Sequence, residues 1–252
     1  MSTQTDTLND ALSLVEQPAS TVHTKSFVLA QTIANQALAQ RAIAGFFGDP
    51  GTGKTHAMRY FCDHCPTEAI YITASASPQA KEIYEEILLL TRGEVPKGTA
   101  RELRRQCAEV LGERRRVVVV DECQNLSYLW HQQLRSLHDF PDAQFALLLS
   151  GGVNAERTLK RDAQLWSRVK MRMHFQELRD TELIETLALL HPVLALTDPA
   201  LLVEIDRKHC RGNLRDWVSF LELALPLLPG SRRKDRLTSQ IVRAVFMLRG
   251  VT

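Results

Sequence analysis

Apolar positions follow two different periods along the first 175 residues of the chain. Short apolar runs rich in β-branched residues, such as Val117–Val120, indicate strands that are covered on both faces. Between these runs, apolar residues recur every three or four positions, which indicates amphipathic helices. The strands are predicted at 42–47, 69–73, 117–120, 145–149 and 169–175, and the helices at 26–40, at 54–61, after Pro78, after Thr99, along Leu126, Leu129, Trp130, Leu134 and Leu137, and at about 155–166. This alternation predicts an α/β fold, a five-stranded parallel sheet sandwiched by helices.

From Asp180 onward the strand pattern stops and only helical periodicity remains. The predicted helices there are 180–190, 198–209, 213–227 and 238–248. The first twenty residues are polar, and a short helix over Leu8–Val15 is the most that we expect in them. The sequence therefore predicts a flexible N-terminal arm (1–20), an α/β core (21–177) and a small all-α C-terminal subdomain (178–252).

The composition narrows the class of protein only slightly. At 44% hydrophobic and 24% charged residues, it is typical of a soluble globular protein. No apolar stretch reaches the roughly 18 residues that span a bilayer, and no signal peptide is evident, so we expect a cytoplasmic protein with no membrane partner. The five cysteines are an odd number, which argues against a disulfide framework. Residues 207–252 hold ten Lys or Arg against three Asp or Glu. This excess of positive charge fits either a surface that binds nucleic acid or a helical subdomain that contacts the bound nucleotide.

A phosphate-binding loop follows the first predicted strand. Its residues fit the pattern G-x-x-x-x-G-K-T, and the segment from Lys54 begins the next helix. Glycines let backbone N–H groups point at phosphate oxygens, the lysine contacts the β and γ phosphates, and the hydroxyl of Thr55 can bind Mg²⁺. The sequence therefore predicts ATP and Mg²⁺ as ligands, bound by Gly48, Asp49, Pro50, Gly51, Thr52, Gly53, Lys54 and Thr55.

Two acidic residues stand directly after the Val117–Val120 strand. Asp121 and Glu122 form the pattern of a Walker B motif. A carboxylate at the end of a strand beside a phosphate loop can hold the Mg²⁺ that Thr55 also binds. The next carboxylate can orient the water that attacks the γ-phosphate. We therefore predict Asp121 as a metal ligand and Glu122 as the residue that promotes hydrolysis.

These two motifs, followed by a helical C-terminal part, resemble the AAA+ ATPases. The resemblance implies that Ser150, at the end of the fourth strand, is the sensor 1 residue and that 178–252 is a lid. It further implies that Arg215, in Gly212-Asn213-Leu214-Arg215, is the sensor 2 arginine. Arg168 resembles an arginine finger, which completes the site of a neighbouring subunit, and Arg161 and Arg172 are rival candidates for that role.

Within the AAA+ proteins, the chain is similar to the transposition ATPases MuB, TniB and TnsC and to the ExeA-type domain. The resemblance covers residues 21–250 and rests on 22–24, 121–126 and 167–169, although Cys123 replaces the small residue usual after the acidic pair. It implies that His23 and Thr24 lie near the adenine. It also implies that ATP-bound subunits form a ring or helical filament on double-stranded DNA, that this oligomer recruits or activates a transposase, and that hydrolysis disassembles it.

Basic residues on and near the helix predicted after Thr99 are the candidate DNA contacts. They are Lys81, Lys97, Arg101, Arg104 and Arg105, with the run Arg232–Arg236 as a second candidate. Contacts of this kind are made to phosphates and do not depend on base sequence. The same residues also fit an ordinary solvated helix face. Two other functions stay open: an ExeA-like ATP switch that acts on a protein partner without binding DNA, and a P-loop small-molecule kinase.

Overall fold

The computed structural model describes residues 22–75, 81–94, 97–229 and 235–250. It divides into two compact units, Lys25–Glu177 and one that contains the described residues from Leu178 onward together with 22–24. The predicted arm over 1–20 lies outside the described residues, as does most of the basic run Arg232–Arg236.

The first unit alternates helices and strands. Its elements in chain order are α1 (Lys25–Gln40), β1 (Ile43–Gly48), α2 (Lys54–His64), β2 (Glu68–Thr73), α3 (Glu82–Arg92), α4 (Ala100–Glu113), β3 (Arg116–Asp121), α5 (Tyr128–His138), β4 (Phe145–Gly151), α6 (Val153–Lys160), α7 (Ala163–Trp166) and β5 (Val169–Phe175). A single 3-10 turn, Cys123–Asn125, separates β3 from α5.

All five strands are parallel and lie in the order β2-β3-β4-β1-β5. The predicted five-stranded parallel sheet is therefore confirmed. Because β4 lies between β1 and β3, the carboxyl ends of these three strands meet at one edge of the sheet. This edge carries the phosphate loop, the acidic pair and Ser150.

Each face of the sheet is covered by its own set of helices. Val118 and Val120 pack in a cluster with residues of α3 to α7, whereas Val117 and Val119 pack on the opposite face with α1 and α2. All six residues of β3 are buried. The run of four valines thus supplies two apolar side chains to each layer, which is why its sequence shows no alternation.

Two helices of this unit differ from the sequence-based expectation. The predicted helix at about 155–166 is broken into α6 and α7, because the carboxylate of Asp162 accepts hydrogen bonds from the backbone N–H groups of Gln164 and Leu165 and starts a new helix. The expected apolar face of α5 is also partly wrong. Leu126 is buried but precedes the helix, which Ser127 caps, and Leu129 is exposed.

Among its described residues, the second unit has helices and connecting segments but no strand. Its helices are α8 (Asp180–Leu190), α9 (Pro192–Ala195), α10 (Pro199–Ile205), α11 (Leu214–Ala224) and α12 (Ser239–Leu248), and Leu225–Leu227 form a 3-10 turn. They enclose a separate core that includes Leu187, Trp217, Phe220 and Val245. No helix in the described part of the chain is both long and apolar enough to cross a membrane.

The helix predicted at 198–209 is α-helical only as far as Ile205. Residues Asp206–Cys210 form a wider π-helical turn, and the backbone N–H of Arg211 donates to the carbonyl of Asp206 at 2.7 Å. The carboxylate of Asp206 secures this turn by accepting from the N–H of Gly212 and the indole of Trp217, both at 2.8 Å. A side-chain anchor that the local pattern did not reveal therefore ends the helix early.

Candidate nucleotide-binding site

The phosphate loop leaves β1 in conformations that favour glycine. Gly48 has φ 148°, and a Cβ there would lie 2.8 Å from the carbonyl oxygen of Phe175. Gly51 and Gly53 have φ values of 84° and 94°, in the left-handed region that side chains disfavour. Gly53 is the N-cap of α2, and no capping side chain occupies the first N–H groups of the helix. This arrangement is suited to binding an anion.

Lys54 is held close to the loop that precedes it. Its ammonium group donates to the carbonyl oxygens of Gly48 at 2.9 Å and Asp49 at 2.7 Å, and the residue is only 8% exposed. The hydroxyl of Thr52 donates to the same carbonyl of Asp49 at 2.8 Å. The positive charge is therefore held at the loop, where it can compensate phosphate charge.

The second residue of α2 contacts the acidic end of β3. The hydroxyl of Thr55 donates to Oδ2 of Asp121 at 2.8 Å, and the backbone N–H of Glu122 donates to Oδ1 at 3.0 Å. A hydroxyl and a carboxylate are hard oxygen ligands of the kind that Mg²⁺ prefers, and Mg²⁺ commonly takes only one or two protein ligands. Thr55 and Asp121 are therefore residues that would hold a magnesium ion.

A tyrosine that the sequence did not single out shares this carboxylate. Tyr71, on β2, donates its hydroxyl to Oδ2 of Asp121 at 2.6 Å, and the guanidinium of Arg59 lies 4.6 Å from the centre of its ring. Burial, followed by the hydrogen bond to Asp121, raises the pKa of Tyr71 well above its usual value. The phenol is thus a neutral donor at physiological pH that helps to fix the Asp121 carboxylate. Only the pairing of β2 with β3 brings it there.

Glu122 leaves the strand in the left-handed region, with φ 54°. Its side chain is exposed, and its carboxylate accepts a hydrogen bond from Nε2 of Gln124. Oε1 of Gln124 in turn accepts from the backbone N–H of Gly152, just past the end of β4, at 3.0 Å. Gln124 therefore connects the ends of β3 and β4, a role that sequence reasoning missed.

Ser150 lies near the end of β4, beside Phe46 of β1. It is fully buried, and its hydroxyl has no hydrogen-bond partner among the described residues. Within the described ranges there is also no group of three or more His, Cys, Asp or Glu side chains that could hold a metal ion.

A family model matches the part of the chain that carries this edge of the sheet. Residues 37–159 match the family model described as an AAA domain, and this span includes the phosphate loop, Asp121, Glu122 and Ser150. The chain is accordingly an ATPase, as its motifs predicted. No curated protein sequence matches it.

Solved structures show the same fold for most of the chain. A structure of ORC2 from Aeropyrum pernix, with ADPNP and ADP, is 18% identical, with 92% of this chain and 68% of that chain covered and a TM-score of 0.66. ORC1 from the same organism, in complex with DNA, is 15% identical (95% and 69% covered, TM-score 0.65). The RuvB branch migration motor of Thermotoga maritima is 18% identical (92% and 72%, 0.62). The fold is therefore that of an AAA+ P-loop NTPase.

The candidate finger residues lie after the matched span 37–159, around α7 and β5. Arg168 donates from Nε to Oδ1 of Asp139 at 2.6 Å and from a terminal nitrogen to the carbonyl of Gln164 at 2.7 Å, with its side chain 36% exposed. Arg172 stacks on Trp166, its guanidinium carbon 3.9 Å from the ring centre. Arg161 is exposed at the break between α6 and α7. The first two are thus held in defined orientations within the subunit.

Three predicted nucleotide contacts lie outside Lys25–Glu177. In the helical unit, Arg215 is exposed in the first turn of α11, which Asn213 caps through hydrogen bonds to the N–H groups of Arg215 and Asp216. His23 and Thr24 precede α1, and Thr24 is buried, with its N–H donating to the carbonyl of Val22 at 3.1 Å. Their roles near the γ-phosphate and the adenine stay predictions.

The candidate DNA residues differ in how their charges are used. Lys81 pairs with Glu85 at 2.9 Å and Arg105 with Glu109 at 3.6 Å, each one helical turn away. Arg104 donates to the hydroxyl of Ser136 on α5 at 2.7 Å. Lys97 and Arg101 are exposed. The structure places Arg101, Arg104 and Arg105 on the solvent side of α4, opposite its buried apolar face.

Proposed function

We propose that the chain is an ATP-dependent, DNA-binding AAA+ regulator of transposition. ATP-bound subunits would assemble as a ring or filament on double-stranded DNA and recruit or activate a transposase, and hydrolysis would disassemble them. The observation that carries the ATP-dependent part is the contact of Thr55 with Asp121, which joins the phosphate loop to the strand that ends in Glu122.

In this proposal, the residues at the carboxyl ends of β1, β3 and β4 have separate tasks. The loop 48–55 binds the phosphates, and Thr55 and Asp121 hold the Mg²⁺. A bound Mg²⁺ would supply positive charge that compensates the negative charge of the phosphates. Glu122 orients the attacking water, and Ser150 presents its hydroxyl toward the γ-phosphate. For Arg215 and the helical unit we keep the sensor 2 and lid roles that the sequence resemblance implies.

Support for DNA as the ligand comes from three sources. The sequence resembles the transposition ATPases, ORC1 of A. pernix has been solved with DNA, and the solvent side of α4 carries several arginines. Arginine fits phosphate oxygens through its planar fork, and contacts of this kind are independent of base sequence. We therefore assign sequence-independent DNA contacts to Arg101, Arg104 and Arg105 and to the neighbouring Lys81 and Lys97.

The ATP site is tested by two substitutions. Lys54→Ala removes the ammonium at the loop, and we expect it to abolish binding of a fluorescent ATP analogue. Glu122→Gln keeps the shape of the side chain but not its charge, so the variant is expected to bind ATP normally and to lose turnover. Unchanged ATP affinity in the first variant, or parental turnover in the second, would contradict the assigned roles.

DNA binding is tested by fluorescence anisotropy with a random-sequence duplex, with and without a non-hydrolysable ATP analogue. We expect the analogue to increase affinity, and the affinity to fall with salt. Arg101→Ala should reduce the salt slope by about one contact. Arg114→Ala is a matched control, because Arg114 is also an exposed arginine. It is bound to Glu68 near the start of β3, and Asp121 is at the other end of that strand.

A lack of ATP-dependent DNA affinity at low salt would overturn this proposal in favour of the second candidate function, an ATP switch that acts on a protein partner. One observation favours that alternative. Leu129 and Phe140 are 45% and 40% exposed, and each lines a different cavity to which Arg101 and Arg104 also contribute. A surface that combines apolar side chains with arginines is also suited to a protein.

The shared site between subunits is tested by mixing inactive variants. If Arg168 acts on the ATP of a neighbouring subunit, Arg168→Ala and Lys54→Ala are each inactive alone, but a mixture regains part of the turnover. In this role, Arg168 would give up its hydrogen bond to Asp139 and bind a phosphate of the ATP in the neighbouring subunit. Mixed oligomers that form but stay inactive would exclude Arg168, and the same experiment would then be made with Arg161 and Arg172.

A further inference from the structure

Gln124 is fixed at both ends of its amide group. Its Oε1 accepts from the backbone N–H of Gly152 at 3.0 Å, and its Nε2 donates to the carboxylate of Glu122. A backbone N–H can only donate, so it decides which end of the amide faces Gly152. The NH₂ end must then face Glu122, whose carboxylate can only accept.

The space around this amide is closely filled. A Cβ added at Gly151 would lie 2.5 Å from Oε1 of Gln124 and 2.9 Å from Sγ of the buried Cys123. The glycine therefore lets the side chain of Gln124 pass against the end of β4. On the other side of the contact, Glu122 has a left-handed backbone, φ 54°, a conformation that a non-glycine residue keeps only when its surroundings hold it there.

We propose that Gln124 is a positioning residue for ATP hydrolysis, which holds the Glu122 carboxylate and couples it to the end of β4 that carries Ser150. This inference rests on the proposed role of Glu122. An exposed carboxylate on a long side chain samples several rotamers, and only some of them place an oxygen toward the attacking water. The hydrogen bond from Gln124 restricts that choice, and the backbone of Gly152 restricts Gln124.

The coupling also gives the site a means to respond to the nucleotide. A movement of the β4 end toward a bound γ-phosphate would shift Gly152 and therefore the amide that holds Glu122. Because Gln124 contacts the carboxylate and not the phosphate loop, its loss should change the rate of the chemical step and leave ATP affinity alone. A residue that only filled space would not separate these two quantities.

Two substitutions at this position separate positioning from packing. Gln124→Met keeps a side chain of similar length and volume but removes both hydrogen bonds. Gln124→Glu keeps the shape almost unchanged and can still accept from Gly152, but it places a second carboxylate against Glu122. We expect kcat to fall between about tenfold and a hundredfold in the Met variant, and further in the Glu variant, because a misplaced catalytic group loses rate steeply with distance.

The measurements are the steady-state kcat, the affinity for a fluorescent ATP analogue and the urea unfolding midpoint of each variant. We expect parental ATP affinity and a folded protein in both. Gln106→Met is the control. Gln106 lies on α4, where it accepts a hydrogen bond from Arg92 on α3, and it is not part of the carboxyl ends of β1, β3 and β4. Its kcat should stay parental.

Three outcomes would overturn the proposal. Parental kcat in Gln124→Met would show that the contact does not position Glu122. A glutamate variant as active as the parent would show that only the shape of the side chain matters. An increase of kcat would show that Gln124 keeps Glu122 away from the water. The Glu122→Gln variant distinguishes these failures from failure of the proposed function, because it loses turnover only if Glu122 itself promotes hydrolysis.

Discussion

Substitution of Gly151 by alanine tests how tightly the end of β4 packs against the segment after β3 that contains Cys123 and Gln124. The new Cβ would lie 2.5 Å from the Cβ of Ala155 on α6, 2.5 Å from Oε1 of Gln124 and 2.9 Å from Sγ of Cys123. Contacts below 3.0 Å require that some group moves. Gly151 does not have a left-handed backbone, so the effect of the substitution is steric.

The size of the effect follows from which neighbour can move. Ala155 lies on a helix and Cys123 is fully buried, so the end of Gln124 is the group most free to shift. Overpacking of a closely packed site costs typically about 1–3 kcal/mol, and we expect about 2 kcal/mol here. For a chain of this size, that corresponds to a decrease of about 4–8 °C in melting temperature. Displacement of Gln124 should also lower kcat by roughly tenfold.

The neighbouring glycine supplies the control. A Cβ at Gly152 would find only Nε2 of Gln124, at 3.9 Å, so Gly152→Ala loses little beyond the weaker helix cap, less than about 1 kcal/mol. Both variants are compared with the parent by urea unfolding and by ATPase rate. If Gly151→Ala matched Gly152→Ala in stability and in kcat, the packing argument for this strand end would be wrong.

Three further predictions concern stability. Arg116→Met should lower the free energy of unfolding in urea by about 3 kcal/mol, because Arg116 is buried and bound to Glu68. Arg114 forms an exposed pair with the same glutamate, so Arg114→Met should lower it by under about 1 kcal/mol. Equal losses in the two variants would contradict this prediction. Thr99→Ala removes the capping box of α4 and should lower the free energy of unfolding by about 1 kcal/mol. An unchanged free energy would show that the cap does not form in solution. Burial lowers the pKa of His131 below its ordinary value of 6.5, so the unfolded chain takes up the proton more readily. Stability should therefore fall as the pH decreases below about 6.5, by at most about 1.4 kcal/mol per pH unit for this residue, and His131→Phe should show a smaller fall between pH 7.5 and 5.5.

Most of the α/β architecture could be predicted because its signals are local. The β-branched run of β3 and the helical stripes report burial directly, and a phosphate loop is contiguous in sequence. The errors arose where a polar side chain interrupts a pattern. Asp162 starts a new helix within the predicted 155–166 segment, and Asp206 fixes the wide turn that shortens α10. Hydrophobic periodicity contains no information about such contacts.

The sequence by itself determined the class of the protein: a phosphate loop, an acidic pair after a buried strand, and an order of strands and helices that leads to a parallel sheet. The tertiary structure alone decided which side chains support that site. Tyr71 reaches Asp121 because β2 lies beside β3, and Gln124 reaches Gly152 because β4 lies on the other side of β3. The physical reason is that strand order and register, which bring together residues that are distant in sequence, result from packing over the whole sheet, whereas the motifs result from a few consecutive residues.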